Sequence, residues 1–251
     1  MKIYGLIGYP LSHSFSKKFF TEKFELEKIN DCKYELFPMA DVSEMVPLIR
    51  EQSSLYGLNV TIPHKLNVIP FLDEVDEAAA QIGAVNCIAI DRKSSNAMLR
   101  GYNTDVYGFA ESLKPLLEKH HQKALLFGDG GAAKAVKYTL DALGIPYLVV
   151  VRKPQQDAIL YAAVTAQMLS TYTLLINTTP LGMSPNYGSA PEIPYHFLTA
   201  QHLCYDLVYN PEETSFLAKA KAQGAQIKNG LEMLYLQAER SWYIWNTLHG
   251  A

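Results

Sequence analysis

Short apolar runs alternate with amphipathic stretches along most of the 251-residue chain. The apolar, often β-branched runs predict strands at Lys2–Gly8, Tyr34–Phe37, Gly57–Thr61, Asn86–Ile90, Leu125–Gly128, Tyr147–Val151, Leu174–Asn177 and Leu203–Leu207. The stretches between them predict helices, among them Ser43–Gln52, Asp105–Lys119, Ala132–Leu143, Asp157–Leu169 and Glu213–Gln223. Such alternation indicates an α/β fold with largely parallel sheets.

One segment predicts an antiparallel hairpin, in which Asn86–Asp91 and Ala97–Tyr102 flank the polar turn Arg92–Asn96. A domain boundary is expected just after it, near Tyr102, and Thr104 is a suitable N-cap for the helix that follows.

The final helix is predicted from about Leu231 to Leu248. It carries four large aromatic residues that we expect to serve as packing surface, namely Tyr235, Trp242, Tyr243 and Trp245.

Composition narrows the class of protein. Lys and Arg number 22 against 25 Asp and Glu, for a net charge of −3, which argues against a nucleic-acid partner. No apolar run approaches the ~20 residues that span a bilayer, and the N-terminus has the pattern of a strand rather than a signal peptide. Cys32, Cys87 and Cys204 lie far apart, which favours reduced thiols in a cytoplasmic protein and no metal site.

A glycine-rich turn lies between a predicted strand and a predicted helix. Gly128, Gly130 and Ala133 satisfy Gly-x-Gly-x-x-Ala, and Gly131 and Ala132 lie between them. The first glycine permits a tight turn, the second admits a pyrophosphate close to the backbone, and the small third residue lets helix and strand pack. This context predicts dinucleotide binding, with the side chain of Asp129 directed to solvent.

The strand Tyr147–Val151 decides which nicotinamide cofactor is expected. An NAD site usually ends this strand in an acidic residue that binds the ribose hydroxyl. Here Arg152 and Lys153 follow instead, and a guanidinium suits a 2′-phosphate. We therefore expect NADP (NADPH), although the two cations could also be an ordinary solvated strand end.

Four polar segments in the N-terminal half follow strands or precede helices, which is the sheet edge where α/β proteins bind ligands. They are Gly8–Ser16, Asn59–Lys65, Ile82–Asn86 and Gly101–Asp105. Their hydroxyl and amide groups suit a polyhydroxylated ligand, and a lysine near an aspartate suits proton transfer.

Together these segments resemble the shikimate dehydrogenase family, from Gly5 to about Gln237. The motifs that carry the resemblance are Ser14-x-Ser16, Asn59-Val60-Thr61-x-Pro63-x-Lys65, Gly83-Ala84-Val85-Asn86, Asn103-Thr104-Asp105-x-x-Gly108, Gly128-x-Gly130-Gly131, Ile176-Asn177-Thr178-Thr179-Pro180-Leu181-Gly182-Met183, Asp206-Leu207-Val208-Tyr209-Asn210-Pro211 and Gly230-Leu231-x-Met233-Leu234-x-x-Gln237.

The resemblance implies reversible, NADPH-dependent reduction of 3-dehydroshikimate to shikimate, with Lys65 and Asp105 as the catalytic pair. It implies that the substrate is held by Ser14, Ser16, Thr61, Asn86, Tyr209 and Gln237. It implies cofactor contacts at Gly128, Gly130, Gly131, Ala132, Arg152, Lys153, Thr178, Met183 and Gly230. Taken alone, several of these residues could be structural: Ser14 could cap a helix, and Asp105 could stabilise a helix N-terminus.

The chain departs from the family pattern in two places. Lys17 replaces a usual proline, and Phe20-Thr21 replace a usual His-Asn pair. Val151-Arg152-Lys153 stands where Asn-Arg-Thr is usual, which leaves the preference for NADP less strongly specified.

The expected architecture has two α/β domains with a cleft between them. Residues 1–102 with 230–251 would form a shikimate-binding domain, and 103–229 a Rossmann-like NADP domain. The alternatives are a quinate/shikimate dehydrogenase that uses NAD and a non-catalytic nucleotide-binding family member. The expected partner is the small-molecule substrate, with no membrane partner, and the protein is either a monomer or a homodimer.

Overall fold

The computed structural model describes residues 1–11, 14–93 and 97–249. The chain divides into two compact units. The first unit consists of Met1–Tyr107 together with the chain from Gln237 onward, and the second unit consists of Gly108–Leu236. Two helices, α4 (Thr104–Leu113) and α8 (Leu231–His249), begin in one unit and end in the other.

The first unit contains a six-stranded mixed sheet with strand order β2-β1-β3-β5-β6-β4. Its strands are β1 (Lys2–Gly8), β2 (Cys32–Pro38), β3 (Leu55–Val60), β4 (Glu74–Val75), β5 (Cys87–Asp91) and β6 (Met98–Tyr102). Its other helices are α1 (Phe15–Leu26), α2 (Met45–Glu51) and α3 (Glu77–Ile82). β1 pairs in parallel with both β2 and β3, whereas β5 is antiparallel to β3 and β6.

The second unit contains a six-stranded parallel sheet with strand order β12-β11-β10-β7-β8-β9. Its strands are β7 (Ala124–Phe127), β8 (Tyr147–Val151), β9 (Ala158–Leu160), β10 (Leu174–Asn177), β11 (Leu203–Asp206) and β12 (Gln226–Lys228). Its helices are α5 (Gly131–Ala142), α6 (Ala166–Thr171) and α7 (Ser215–Lys221). The chain reverses its direction of travel across the sheet between β7 and β10, and ligands of such sheets bind beyond the strand ends at that point.

The central strands are apolar on both faces because helices cover both faces of the sheet. In β7, Ala124 and Leu126 join a core cluster with α5, whereas Leu125 and Phe127 join one with α7 on the other face. β1 divides in the same way, since Ile3 and Ile7 pack with α2 while Tyr4 and Leu6 pack with α1 and α8. Each unit is therefore a three-layer structure with helices on both faces of its sheet.

The predicted α/β fold and the hairpin are confirmed, and residues 94–96 of the hairpin turn lie outside the described residues. The predicted helix over 157–169 is wrong in its first half. Ala158–Leu160 pairs instead with Val149–Val151 as the edge strand β9. Strand pairing outweighs a local helical pattern here because the edge of β8 offers hydrogen-bonding groups to any adjacent backbone.

Two further predictions need correction. The helix predicted over 105–119 ends at Leu113, because Pro115 has no N–H to continue it. On α8, Trp245 is fully buried as expected of a packing residue, whereas Tyr235 and Tyr243 are 44% and 56% exposed, so core packing does not account for all four aromatic residues. Among the described residues, the structure holds no helix with the length and apolar character that a bilayer crossing requires.

Candidate active site

A lysine and an aspartate meet in the first unit. Thr61–Lys65 follows β3 and is held at both ends, since the Thr61 N–H donates to Ile7 O at 3.0 Å and the Val85 N–H donates to Lys65 O at 2.7 Å. Asp105 lies in the first turn of α4. The Lys65 ammonium reaches its carboxylate with a 2.6 Å Nζ–Oδ2 distance, and the side chains are 30% and 20% exposed. Partial burial strengthens the ion pair while leaving an accessible ammonium that could exchange a proton with a ligand.

The other carboxylate oxygen of this aspartate is held by Asn86. Asn86 Nδ2 donates to Asp105 Oδ1 at 2.9 Å, and Asn86 Oδ1 accepts from the backbone N–H of Thr104 at 2.7 Å. Asn86 is only 4% exposed. The carboxylate therefore has a defined orientation, with one oxygen facing the lysine and the other facing an amide.

Four of the predicted substrate-binding residues besides Asn86 belong to the same unit. Ser14 caps α1 by accepting from the Lys17 N–H at 3.3 Å, so the capping role considered for it is real. Ser16 lies half-buried in the first turn of that helix, and Thr61 is half-buried just after β3. Gln237 is 8% exposed and accepts from the Thr104 hydroxyl at 3.4 Å. Ser12 and His13, also in the first polar segment, lie outside the described residues.

The predicted phosphate-binding turn follows β7 in the second unit. Gly128 has a φ of 94°, and a Cβ there would come within 2.6 Å of Thr179 Cγ2, so only glycine fits both the backbone and the contact. Gly130 caps α5 without a side chain, and a Cβ at Gly130 or Gly131 would meet no atom within 4 Å. The start of the helix therefore presents unobstructed N–H groups to an anion.

A cavity of about 620 Å³ opens beside this turn. It is lined by Gly128–Gly130, by the end of β8 at Val151–Lys153, and by the loop after β10, which includes Thr178 and Met183. Arg152 and Lys153 are both exposed. A glycine turn at one wall and two cations at another match the pyrophosphate and 2′-phosphate of NADP, so the residues present fit this cofactor.

The aspartate within the turn differs from the expectation that it points to solvent. Its carboxylate accepts hydrogen bonds from Lys137 of α5 and from Gln155, which follows the strand end carrying Arg152. Pairing with the Lys137 ammonium offsets the negative charge of Asp129, which would otherwise repel a pyrophosphate bound at this turn. The same contacts tie the glycine turn to the segment that carries the two cations.

A buried carboxylate organises the loop after β10. Asp206, at the end of β11, is fully buried and accepts from Asn177 Nδ2 at 2.9 Å and from Thr214 Oγ1 at 2.6 Å. Asn177 Oδ1 in turn accepts from the N–H of Thr179 at 3.1 Å and from its hydroxyl at 2.6 Å. Burial raises the Asp206 pKa to about 6, although its hydrogen bonds act in the opposite direction. The Thr178–Met183 loop is thereby anchored to the interior of the second unit.

Two predicted site residues lie in the loop after β11 and immediately before α8. Tyr209 is 36% exposed. Gly230 is buried, and a Cβ there would collide with the Leu207 carbonyl oxygen. The structure therefore explains why residue 230 is glycine by a close backbone contact, and its predicted contact with the cofactor stays a prediction.

Several residues that hold the site were not singled out from sequence as site residues. Asn59, Thr104 and Asp206 occur inside the quoted motifs, but the sequence does not show that their side chains are buried. Ser241 is fully buried on α8 and had no sequence signal, because it lies between a charged residue and aromatic residues.

Comparison with known proteins identifies the family. A family model described as the shikimate dehydrogenase substrate binding domain matches residues 6–88. The shikimate dehydrogenase (NADP(+)) of Caldanaerobacter subterraneus subsp. tengcongensis is 36% identical, over 97% of this chain and 91% of the relative. That of Carboxydothermus hydrogenoformans is 38% identical, with coverage of 97% and 91%.

Solved structures agree with this result. Shikimate 5-dehydrogenase from Thermus thermophilus, in complex with NADP(H) and shikimate, superposes with a TM-score of 0.83 at 30% identity, covering 98% of this chain and 94% of that one. The enzyme from Listeria monocytogenes, in complex with shikimate and NAD, gives a TM-score of 0.86 at 27% identity, with coverage of 98% and 92%. Since relatives at 36–38% identity match over nearly the full length of both chains, the chain belongs to the shikimate dehydrogenase family.

Proposed function

We propose that the protein catalyses the reversible, NADP-dependent reduction of 3-dehydroshikimate to shikimate, a step that serves aromatic amino-acid biosynthesis. The observation that carries this function is the 2.6 Å contact between Lys65 Nζ and Asp105 Oδ2, fixed by Asn86 and partly open to solvent. The full-length match to shikimate dehydrogenases supplies the identity of the substrate.

The chemistry of the pair follows from the charge that the reaction develops. NADPH, when bound, would supply a hydride to the 3-keto carbon, and negative charge would develop on the keto oxygen. Lys65 donates a proton to that oxygen and is afterwards reprotonated from solvent, and in the oxidation of shikimate it accepts the proton. Asp105 aims the ammonium, and proton transfer of this kind is worth about 10²–10⁴-fold in rate.

The polar residues around the pair suit the rest of the substrate. The hydroxyls of Ser14 and Ser16 can donate to a carboxylate without bringing a charge of their own. Thr61, Asn86 and Gln237 present hydroxyl and amide groups to the ring hydroxyls, and one Asn86 Nδ2 hydrogen remains beyond its bond to Asp105. The remaining proposed substrate-binding residue is Tyr209.

The second unit would hold the cofactor. Gly128, Gly130, Gly131 and Ala132 would face the pyrophosphate, with Arg152 and Lys153 at the 2′-phosphate. Thr178, Met183 and the backbone of Gly230 would lie towards the nicotinamide. The absence of an acidic residue at the end of β8 favours NADP over NAD.

The direct test is the loss of NADPH absorbance when the purified protein is mixed with 3-dehydroshikimate. Lys65→Ala is expected to lower turnover by at least about 10²-fold while shikimate still binds, because the proton donor is lost and the proposed substrate-binding residues are unchanged. Lys18→Ala, at an exposed lysine of the same unit, is the control and should retain activity. Unchanged turnover in Lys65→Ala would refute the role of the lysine.

Assays of shikimate and quinate oxidation, with NADP⁺ and with NAD⁺, separate the alternative functions. A preference of tenfold or more for quinate over shikimate would replace the proposed substrate. Nucleotide binding without turnover of either compound would identify a non-catalytic family member.

Cofactor choice has its own test in equilibrium binding of NADP⁺ and NAD⁺. Arg152→Gln should weaken NADP⁺ binding by at least about tenfold and leave NAD⁺ binding nearly unchanged, since a charge-assisted contact to the 2′-phosphate is lost. Equal losses for the two nucleotides would place the guanidinium elsewhere.

We further propose that the protein is cytoplasmic and acts as a monomer or homodimer, with the small-molecule substrate as its partner. Cys32, Cys87 and Cys204 are all free thiols, and the last two are buried. Light scattering of the purified protein would distinguish the two oligomeric states.

A further inference from the structure

A chain of side-chain hydrogen bonds runs through the interior of the first unit and ends at the Lys65–Asp105 pair. It starts at Tyr34 on the edge strand β2, whose hydroxyl donates to Asn59 Oδ1 at 2.8 Å. Burial raises the pKa of this phenol well above its usual value. The phenol therefore stays neutral and can act as a donor within the chain.

The next link joins strand β3 to helix α8. Asn59 Nδ2 donates to Ser241 Oγ at 2.9 Å and to the Asn86 backbone oxygen at 3.3 Å. Ser241 Oγ donates to Gln237 O at 3.0 Å, one turn earlier on α8. Asn59 is 5% exposed and Ser241 is fully buried, so water has little access to these groups.

Thr104 stands at the centre of this hydrogen-bond network. Its hydroxyl lies 3.3 Å from Ser241 Oγ, 3.4 Å from Gln237 Oε1 and 3.2 Å from Asn86 Oδ1. Thr104 is 1% exposed. One hydroxyl at the start of α4 thus contacts α8 on one side and the amide before β5 on the other.

The backbone N–H of Thr104 determines which way the Asn86 amide is turned. Asn86 Oδ1 accepts from the backbone N–H of Thr104 at 2.7 Å, which can only donate, and the Thr104 hydroxyl oxygen lies 3.2 Å from the same atom. Nδ2 must then point to Asp105 Oδ1, which leaves Oδ2 for the lysine. A reversed amide would place two donors together in a buried site, and unsatisfied buried groups are strongly disfavoured.

We propose that Thr104 and Ser241 are positioning residues of the reaction, which act through Asn86 on the Lys65–Asp105 pair. They touch neither substrate nor cofactor in this proposal. Their hydroxyls contact each other, and that of Thr104 also lies beside Asn86 Oδ1, so together they hold the amide that orients the carboxylate aiming the ammonium. The expected effect on reaction rate rests on the proposed function. The geometry rests only on the hydrogen bonds of the first unit.

The decisive comparison is Thr104→Val against Thr104→Ser. Valine keeps the branched shape and the backbone N–H but removes the hydroxyl, whereas serine keeps the hydroxyl. Thr104→Val should lower kcat with shikimate about tenfold and alter its pH profile, with the Kd for NADP⁺ unchanged, because misplaced catalytic groups lose rate steeply. Thr104→Ser should recover most of the lost kcat.

Two buried helical serines provide the matched control. Ser112 resembles Ser241, since it is 1% exposed, donates to the carbonyl four residues earlier at 2.7 Å and lies against another buried hydroxyl, that of Tyr205. Ser112 belongs to the second unit and is not part of the hydrogen-bond network described above. Ser241→Ala should lower kcat and alter the pH profile, and Ser112→Ala should do neither.

A readout that does not depend on turnover keeps this inference separate from the proposed function. The Lys65 Cε NMR signal reports on the neighbouring carboxylate, so it should shift in Thr104→Val and return towards the wild-type position in Thr104→Ser. Wild-type protein without dehydrogenase activity would refute the proposed function, while the NMR comparison would still judge the positioning role. Wild-type kcat and Lys65 signal in Thr104→Val, equal losses in the valine and serine variants, or an equal loss in Ser112→Ala would overturn the inference.

Discussion

Replacing Asp206 with asparagine should change how the stability of the second unit depends on pH. The carboxylate is fully buried, with Oδ1 accepting from Asn177 Nδ2 at 2.9 Å and from the Val208 N–H at 3.0 Å. Oδ2 accepts from the Thr214 hydroxyl at 2.6 Å. Asparagine can keep the Oδ1 bonds and turn its amide group towards the threonine oxygen, so the variant is expected to fold.

The magnitude follows from the shifted titration of this group. Burial raises the Asp206 pKa from 3.8 to about 6, against the opposing effect of its three hydrogen bonds. A difference of about two units at about 1.36 kcal/mol each corresponds to a penalty on the order of 3 kcal/mol for the ionised carboxylate. Between these two pKa values the folded state binds more protons than the unfolded state, so stability falls as pH rises through that window and is level above it.

The assay compares the free energy of unfolding of wild type and Asp206→Asn from about pH 4 to pH 7.5. Because asparagine does not titrate, the variant should gain about 3 kcal/mol relative to wild type across this range. Both tryptophans, Trp242 and Trp245, lie in the first unit, so their emission reports on that unit. Urea unfolding should therefore be followed by far-UV circular dichroism, with tryptophan emission recorded in parallel.

An exposed carboxyl of the same unit, in Asp141→Asn, controls for the general effect of removing a negative charge. A difference between wild type and Asp206→Asn that stays constant to within about 0.5 kcal/mol over the whole pH range would refute the reasoning. A difference of opposite sign would mean that the hydrogen bonds outweigh burial.

Two glycines should not tolerate a methyl group. In Gly57→Ala the new Cβ would meet the Trp245 indole, and we expect a loss of about 1–3 kcal/mol in urea unfolding with a shifted tryptophan emission. Gly230→Ala would push against the Leu207 carbonyl, which is backbone and cannot turn aside, so thermal unfolding should show a loss of at least about 2 kcal/mol. Gly188→Ala, at a position with no atom within 4 Å of the added carbon, is the control for both, and an equal loss there would contradict the steric explanation.

Much of the second unit could be predicted because its features are local. The turn from β7 into α5 needs glycines at fixed offsets, and an apolar run such as Leu125–Phe127 is typical of a strand covered on both faces. Strand β9 was missed because its pairing with β8 depends on a neighbour elsewhere in the chain. For the same reason helical periodicity could not distinguish buried Trp245 from exposed Tyr243, which differ in the face of α8 that meets the sheet.

The candidate site also has some features that the sequence predicts and others that only the structure shows. Motif order indicated which residue types carry the chemistry, including Lys65, Asp105 and the two cations after β8. It could not predict that Asp129 pairs with Lys137, or that burial sets the titration of Asp206. Both depend on which groups surround the carboxylate in space.

By itself, the sequence determined the α/β class, the glycine turn, the expected cofactor and the family, because each of these rests on residue types at short spacing or in a fixed order. Only the tertiary structure decided that Lys65 Nζ lies 2.6 Å from Asp105 Oδ2 and that Thr104, Asn86 and Ser241 hold that geometry. Hydrogen bonds act over about 3 Å, whereas the residues that make them are separated by tens of positions along the chain. Strand order and helix packing bring those residues together, and no local pattern of residues records that result.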